Sequence, residues 1–187
     1  MNEATALVLV DLQTGAFGGC GIPPTHDADL LLQNAYALLR EARASGVPVV
    51  HIQHCAGRGE VFEEGAPGWP ILPQLMPEPG EAVVPKRASN AFEGTNLEKV
   101  LQDIGARHIV VAGIQSERCV AATCRGALQL GYRVRLAADG HSTWPDGARP
   151  ASDIVAAENE ALASAGVALS STEHLVEWLR SKRVART

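Results

Sequence analysis

Asp11, Lys86 and Cys119 are the three side-chain types that a thiol-based acyl transfer requires, and each follows a short apolar run. Asp11 closes Leu7-Val8-Leu9-Val10, and Lys86 closes Ala82-Val83-Val84-Pro85. Cys119 comes five residues after the run His108–Ile114, in the first turn of a helix expected over about 117–130. The thiolate is the reactive form of cysteine. A helix N-terminus and a neighbouring ammonium both lower the thiol pKa from its free value of about 8.5. A carboxylate beside it can take the thiol proton and return it to a leaving group. Each residue alone has a plainer reading. A cysteine on a helix is more often a small buried hydrophobe, as Cys124 is expected to be. An Asp after a strand often caps a turn, and a single Lys is usually a solvated surface charge. Their joint place after three separate strands gives the chemical reading its weight.

Those strands have to be positioned by something, and the rest of the pattern supplies it. Apolar runs at 6–10, 47–53, 82–85, 108–114, 132–138 and 167–169 alternate with helical stretches at 27–45, about 95–105, 117–130, 151–165 and from about 171 onward. Leu31, Ala35, Leu38 and Ala42 recur at helical spacing, and Gly46, Gly105, Gly131 and Gly166 stand where helices stop. Thr95-x-x-Glu98 has the form of a capping box. Short apolar strands joined by helices need crossover connections and burial on both faces. The pattern predicts a three-layer α/β/α sandwich on a six-stranded, mainly parallel, Rossmann-like sheet, with residues 1–187 as one domain. In such sheets ligands bind beyond the carboxyl ends of the strands, where Asp11, Lys86 and Cys119 fall. The Gly-, Pro- and Glu-rich stretch from 54 to 80 reads as a lid or pocket wall.

Composition narrows the function classes. The 187 residues are 46% hydrophobic and 20% charged, enough apolar material for a core. The net charge of −5 comes with no dense Lys/Arg cluster, so nucleic acid is not an expected partner. No apolar run approaches the roughly 20 residues that span a bilayer, so no membrane partner is expected either. The opening Met1-Asn2-Glu3 lacks the basic and small-residue features of a signal peptide, and the expectation is a cytoplasmic protein. Cys20, Cys55, Cys119 and Cys124 form no CxxC pair and are expected as free thiols.

Four segments together resemble the isochorismatase-like hydrolase superfamily, in its cysteine hydrolase branch. They are Leu9-Val10-Asp11-Leu12-Gln13, Pro85-Lys86-Arg87 with Ser89-Asn90-Ala91-Phe92, Gly113-Ile114-Gln115-Ser116-Glu117-Arg118-Cys119-Val120, and Asp139-Gly140-His141-Ser142-Thr143-Trp144. The resemblance covers nearly the whole chain. It implies a catalytic triad in which Asp11 is the general base and acid, Lys86 keeps Asp11 ionised and supports the thiolate, and Cys119 attacks a carbonyl carbon to form a thioester. It also implies a cis peptide at Ile114–Gln115, with the backbone amides of Gln115 and Cys119 forming an oxyanion hole. Presence of the cysteine favours an amide or amidine-like small-molecule substrate over a vinyl ether. Phe17, His54, Trp69, Phe92, Ile114 and Trp144 are candidate pocket residues, and a homo-oligomer is expected because family members commonly assemble.

Two other functions stay in view. Metal-dependent nicotinamidases of this superfamily carry an Asp-x-His pair after the second strand, where this chain has only His51-Ile52-Gln53-His54. An offset of three along a strand points His51 and His54 to opposite faces, so neither a metal nor any other cofactor is expected. A non-catalytic binding module on the same fold is the remaining alternative, because fold does not fix function.

Overall fold

The computed structural model describes residues 4–182. Six strands form one sheet: β1 (Ala4–Val10), β2 (Val49–His54), β3 (Ala82–Lys86), β4 (Ala106–Ile114), β5 (Arg133–Ser142) and β6 (Ala168–Ser170). They lie in the order β3-β2-β1-β4-β5-β6, and every neighbouring pair is parallel. Among the described residues there are five α-helices: α1 (Ala28–Ser45), α2 (Leu97–Ile104), α3 (Ala121–Gln129) and α4 (Ala151–Ser164) connect strands, α5 (Thr172–Arg180) follows β6, and the long loop joins β2 to β3.

Alternation along the strands divides the core into two layers. Val8, Val10, Ile52, Val84 and Val111 face a layer shared with Leu97 and Leu101 of α2 and Ala121 and Cys124 of α3. Leu7, Leu9, Val110 and Ala112 face the other layer, shared with Leu31, Leu38 and Leu39 of α1 and Leu175 and Leu179 of α5. This odd-and-even division is what burial of a parallel sheet on both faces requires. No helix among the described residues is long and apolar enough to cross a membrane.

Strand order reverses between β1 and β4, each of which continues outward in the opposite direction, and the crevice of an open α/β sheet forms at such a point. Two backbone features bring the chain together there. Gly113 has φ +139, and a Cβ on it would lie 2.0 Å from the Val10 carbonyl oxygen, so only glycine lets the ends of β4 and β1 approach this closely. Asp11, the next residue of the first segment, is held at φ 53. This left-handed conformation is uncommon for a residue with a side chain and tends to occur at functional sites.

Three local expectations are corrected. The helix expected over 117–130 begins instead with a π-helical turn, Ser116–Val120, and becomes α-helical only at Ala121. The capping box does not form, and Asn96 instead of Thr95 takes the N-cap position of α2. Thr95 Oγ1 accepts from the Leu97 N–H at 3.2 Å, but the Glu98 carboxylate accepts from Gln102 Nε2 at 3.0 Å instead of reaching back. A same-face partner one turn away competes with the box geometry. Finally, β5 runs to Ser142, not 138. After an irregularity between Val111 and Gly113, pairing resumes as Gly113 with His141 and Ile114 with Ser142. The polar segment Asp139–Ser142 looks like a turn in sequence, but side-chain partners satisfy it inside the fold.

An ion-pair cluster straps the end of the long loop to the sheet and to α1. Arg43 donates to both Glu81 carboxylate oxygens at 2.8 and 2.9 Å, and His51 Nε2 lies 2.9 Å from Glu81 Oε2. Burial opposes ionisation of Glu81, but hydrogen bonds from Arg43, the Glu78 N–H and His51 outweigh it and hold the carboxyl down to about 2.

Candidate active site

Asp11, Lys86 and Cys119 meet at the carboxyl ends of the strands. Lys86 Nζ lies 2.8 Å from Asp11 Oδ2 and 3.1 Å from Cys119 Sγ. The same ammonium donates to the Ala88 carbonyl at 3.1 Å and faces His54 Nδ1 at 3.5 Å. Asp11 and Lys86 are almost fully enclosed, at 4% and 2% exposure, whereas Cys119 is half-buried. Asp11 Oδ1 is buried with no hydrogen-bond partner. A carboxylate with one oxygen anchored on an ammonium and the other unengaged is a proton acceptor with a fixed orientation.

The electrostatics differ from the sequence expectation of a depressed thiol pKa. Burial and the neighbouring Asp11 anion push the Cys119 thiol up to about 11, with Lys86 acting against them. Burial also raises Asp11 above the usual carboxylate range, although Lys86 offsets part of this. Burial works against the charge on Lys86 as well, yet Asp11 and Cys119 leave its pKa above the ordinary lysine value. The resting site is therefore a neutral thiol beside an Asp11–Lys86 ion pair. The thiol has to lose its proton during attack, and a carboxylate whose pKa burial has raised is a better match for taking it.

This arrangement makes an expected result for cysteine alkylation. With iodoacetamide and peptide mass spectrometry, the rate at Cys119 should rise with pH toward a midpoint near 11. Asp11→Asn removes the anion and should move that midpoint down, because less charge repulsion opposes the thiolate. An unchanged or higher midpoint in Asp11→Asn would show that Asp11 does not act on the thiol.

Each group is placed by the local sequence. Lys86 ends β3, in register with His54 at the end of β2. Burial, then the Lys86 charge, holds His54 below the ordinary histidine range, so it meets the ammonium as a neutral acceptor. Gln13 was not singled out from sequence but is fully buried behind this pair. Its Oε1 accepts from the His54 N–H at 2.8 Å, while its Nε2 donates to the carbonyls of His54 and Trp69 at 3.0 and 2.7 Å. It thus ties the 55–80 loop to the end of β2. A polar residue two positions beyond Asp11 carries no sign of this burial in the sequence. On the other flank, Thr123 Oγ1 of α3 accepts from the Ala91 N–H at 3.1 Å, holding the segment after Lys86 against α3.

The candidate pocket residues separate into groups. Trp69 lines a pocket of about 590 Å³ together with Gln53, Cys55, Lys86, Arg87 and Glu93. Its indole N–H points to Cys55 Sγ at 3.4 Å. His54 stands against Lys86 and meets the Phe62 ring edge-on. Ile114 is enclosed in the α1/α5 layer, with Phe17 and Trp144 packed against the same layer. Trp144 Nε1 donates to the Pro23 carbonyl at 2.8 Å, joining the 143–150 segment to the loop after β1. Phe92 packs on the opposite layer and stacks on Tyr132 with ring centres 5.9 Å apart. The Ile114–Gln115 peptide is cis. His51 and His54 do not share a site, since His51 faces Glu81 and His54 faces Lys86. Among the described residues no group of three or more His, Cys, Asp or Glu is disposed to hold a metal ion.

A parallel α/β/α sandwich with a carboxylate, an ammonium and a thiol at its strand-order reversal defines the class of protein to compare. The isochorismatase domain profile matches residues 5–173, and the chain belongs to the isochorismatase family, within the isochorismatase-like hydrolase superfamily. A streptothricin hydrolase from Streptomyces noursei is 40% identical over 158 residues, covering 84% of this chain and 62% of that protein. The chain therefore spans less than two thirds of that relative's length. A ureidoacrylate amidohydrolase from Agrobacterium fabrum is 29% identical over 178 residues, covering 76% of this chain and 78% of that protein. Among solved structures, an isochorismatase from Pseudomonas putida superimposes with a TM-score of 0.86 at 30% identity, covering 92% of this chain and 90% of that one.

Proposed function

We propose that this protein hydrolyses a non-peptide C–N bond of a small amide through a thioester on Cys119, with Asp11 and Lys86 completing a catalytic triad. The observation that carries this reading is the single ammonium of Lys86 within 2.8 Å of Asp11 and 3.1 Å of Cys119, with Asp11 Oδ1 left unpartnered. The ammonium keeps Asp11 ionised and stabilises the sulfur as it becomes anionic.

In the first half-reaction the Cys119 S–H proton passes to Asp11 while sulfur bonds to the carbonyl carbon. The backbone amides of Gln115 and Cys119 receive the resulting oxyanion. Asp11 then returns the proton to the substrate nitrogen, the C–N bond breaks, and ammonia or an amine leaves the thioester behind. Water next gives a proton to Asp11 as its oxygen attacks the thioester. The C–S bond breaks, the acid departs, and sulfur recovers the proton. Net charge is conserved over the Asp11–Lys86–Cys119 group and the bound substrate together: in each tetrahedral state the substrate oxyanion is balanced by the Lys86 ammonium beside a protonated Asp11, which suits a site this enclosed.

Amide cleavage is preferred because the reaction needs an acid to protonate a poor nitrogen leaving group, and a proton-loaded Asp11 supplies one. The ureidoacrylate amidohydrolase is an amide-cleaving relative by name, and the streptothricin hydrolase is a second hydrolase by name. The pocket that Trp69 lines reaches the triad at Lys86, while Asp11 and Cys119 are not part of its wall.

The test is a panel of small primary and N-substituted amides, with the released amine and carboxylic acid both quantified. The expected result is equal release of the two, with an acid limb in kcat/KM above the ordinary carboxylate pKa of 3.8 because burial raises Asp11. Release of a product from a vinyl ether or ester in preference to every amide would redirect the assignment.

A further inference from the structure

The reaction as described leaves one buried polar group unused, and it adjoins the turn that carries Cys119. Ser116 and His141 are buried, at 0% and 4% exposure, on the π-helical turn and on β5 respectively. His141 Nδ1 lies 2.8 Å from Ser116 Oγ, and its Nε2 lies 3.0 Å from Asn159 Oδ1 on α4. Asn159 Nδ2 in turn donates to the Ala138 carbonyl at 3.0 Å.

The chemistry of these groups fixes the direction of every bond. Because the Asn159 amide nitrogen is committed to a carbonyl, its oxygen must face the ring and accept from His141 Nε2–H. The proton on Nε2 leaves Nδ1 of the neutral ring as an acceptor, so Ser116 Oγ–H donates to it. Burial holds His141 below the ordinary histidine range and keeps the ring neutral. A second tie runs beside the first, from Thr143 Oγ1 to Glu117 Oε1 at 3.0 Å. The turn is thus anchored to the end of β5 through two successive residues.

We propose that Ser116, His141 and Asn159 are positioning residues, a hydrogen-bonded chain that aligns the amides of Gln115 and Cys119 with the oxyanion during acylation. The proposal rests on the thioester reading above and adds residues that never touch the substrate. Ser116 is flanked by the two residues whose amides are concerned, one directly before it and one three residues after. A polar anchor at this point restrains both peptide groups together. An enclosed hydroxyl committed to an internal ring nitrogen is placed to orient, not to attack. Preorganised donors matter most where charge develops, so the chain acts on the tetrahedral state and not on thiol reactivity as such.

Two probes separate these effects at the same sulfur. p-Nitrophenyl acetate acetylates a thiol through an oxyanion, while iodoacetamide alkylates it by displacement at a saturated carbon and forms none. Rates of both at Cys119 are read by peptide mass spectrometry in the wild type, Ser116→Ala, Ser116→Thr, Asn159→Ala and the Ser116→Ala/Asn159→Ala pair. Acetylation is expected to fall about tenfold or more in Ser116→Ala and severalfold in Asn159→Ala. The double variant should be no slower than Ser116→Ala, because both remove one chain. Ser116→Thr should restore most of the rate, and alkylation should stay within about twofold of wild type throughout. Parallel loss of acetylation and alkylation, no loss of either, or multiplying effects in the double variant would overturn the proposal. Unaltered acetylation of the whole protein in Cys119→Ala would instead refute the thioester reading, a separate outcome.

Discussion

Cys119→Ala is expected to reduce kcat/KM for the amide substrate by about 10⁴-fold or more, leaving only what binding and the oxyanion-facing amides give to direct attack by water. Nothing nearby replaces the sulfur. Ser116 is enclosed and hydrogen-bonded to His141, and Cys124 is completely buried with its thiol pushed up to about 12. The fold should survive, since losing one half-buried sulfur costs about 1 kcal/mol, within the ordinary range for a single substitution. Steady-state rates with thermal unfolding as a control check this result. Retention of a tenth or more of the wild-type rate would exclude a thiol nucleophile.

Lys86→Met is the second large effect, and it works through protons rather than through a missing nucleophile. Methionine preserves much of the length of the side chain but leaves Asp11 buried beside no cation. Removing one partner of a buried ion pair costs about 3–5 kcal/mol if the other stays charged. Asp11 escapes that cost by binding a proton, and a protonated carboxyl cannot accept another from Cys119. The expected loss in kcat near neutral pH is about 10³-fold, in the range for removing general-base function together with charge stabilisation. The sign of the pH dependence is specific. Without Lys86 the pKa values of both Asp11 and Cys119 rise, since the ammonium lowers each in the wild type. Activity should therefore recover in part as pH increases, with the acid limb displaced upward. An acid limb at the wild-type position would show that Lys86 does not control Asp11.

The sheet was legible because its signal is redundant. Six short apolar runs, with glycines at the helix ends, leave little choice but a parallel sheet covered on both faces. The positions of Asp11, Lys86 and Cys119 after three strands were legible for the same reason, because a strand end is visible as the place where apolar residues stop. Strand order was not, since apolar alternation carries no record of which neighbour a strand pairs with; the contact of Gly113 with Val10 appears only in three dimensions. The π-helical start of the turn was also hidden. Ser116–Val120 has the composition of an ordinary helical turn, and its ties, from His141 of β5 to Ser116 and from Thr143 just after β5 to Glu117, come from some 25 residues away in sequence.

The thiol electrostatics escape the sequence for a related reason. A helix terminus and a lysine both argue for a depressed pKa, and both arguments are local. Burial and the Asp11 carboxylate oppose them and win, and neither quantity can be obtained from the spacing of residues 11, 86 and 119. Gln13 shows the same limit in another form. It reads as an ordinary polar residue after a strand, but the fold buries it completely and gives it three backbone partners.

The most direct test of the account is the identity of the covalent intermediate. The wild-type protein is mixed with p-nitrophenyl acetate, quenched in acid within the first turnover, digested and analysed for acetylated peptides. The account predicts an acetyl group on Cys119, labile to hydroxylamine as a thioester is, formed ahead of any label on Cys20, Cys55 or Cys124 and lost again as turnover proceeds. Acetylation confined to another residue, or catalysed release of p-nitrophenolate with no adduct on Cys119 at any time, would contradict it.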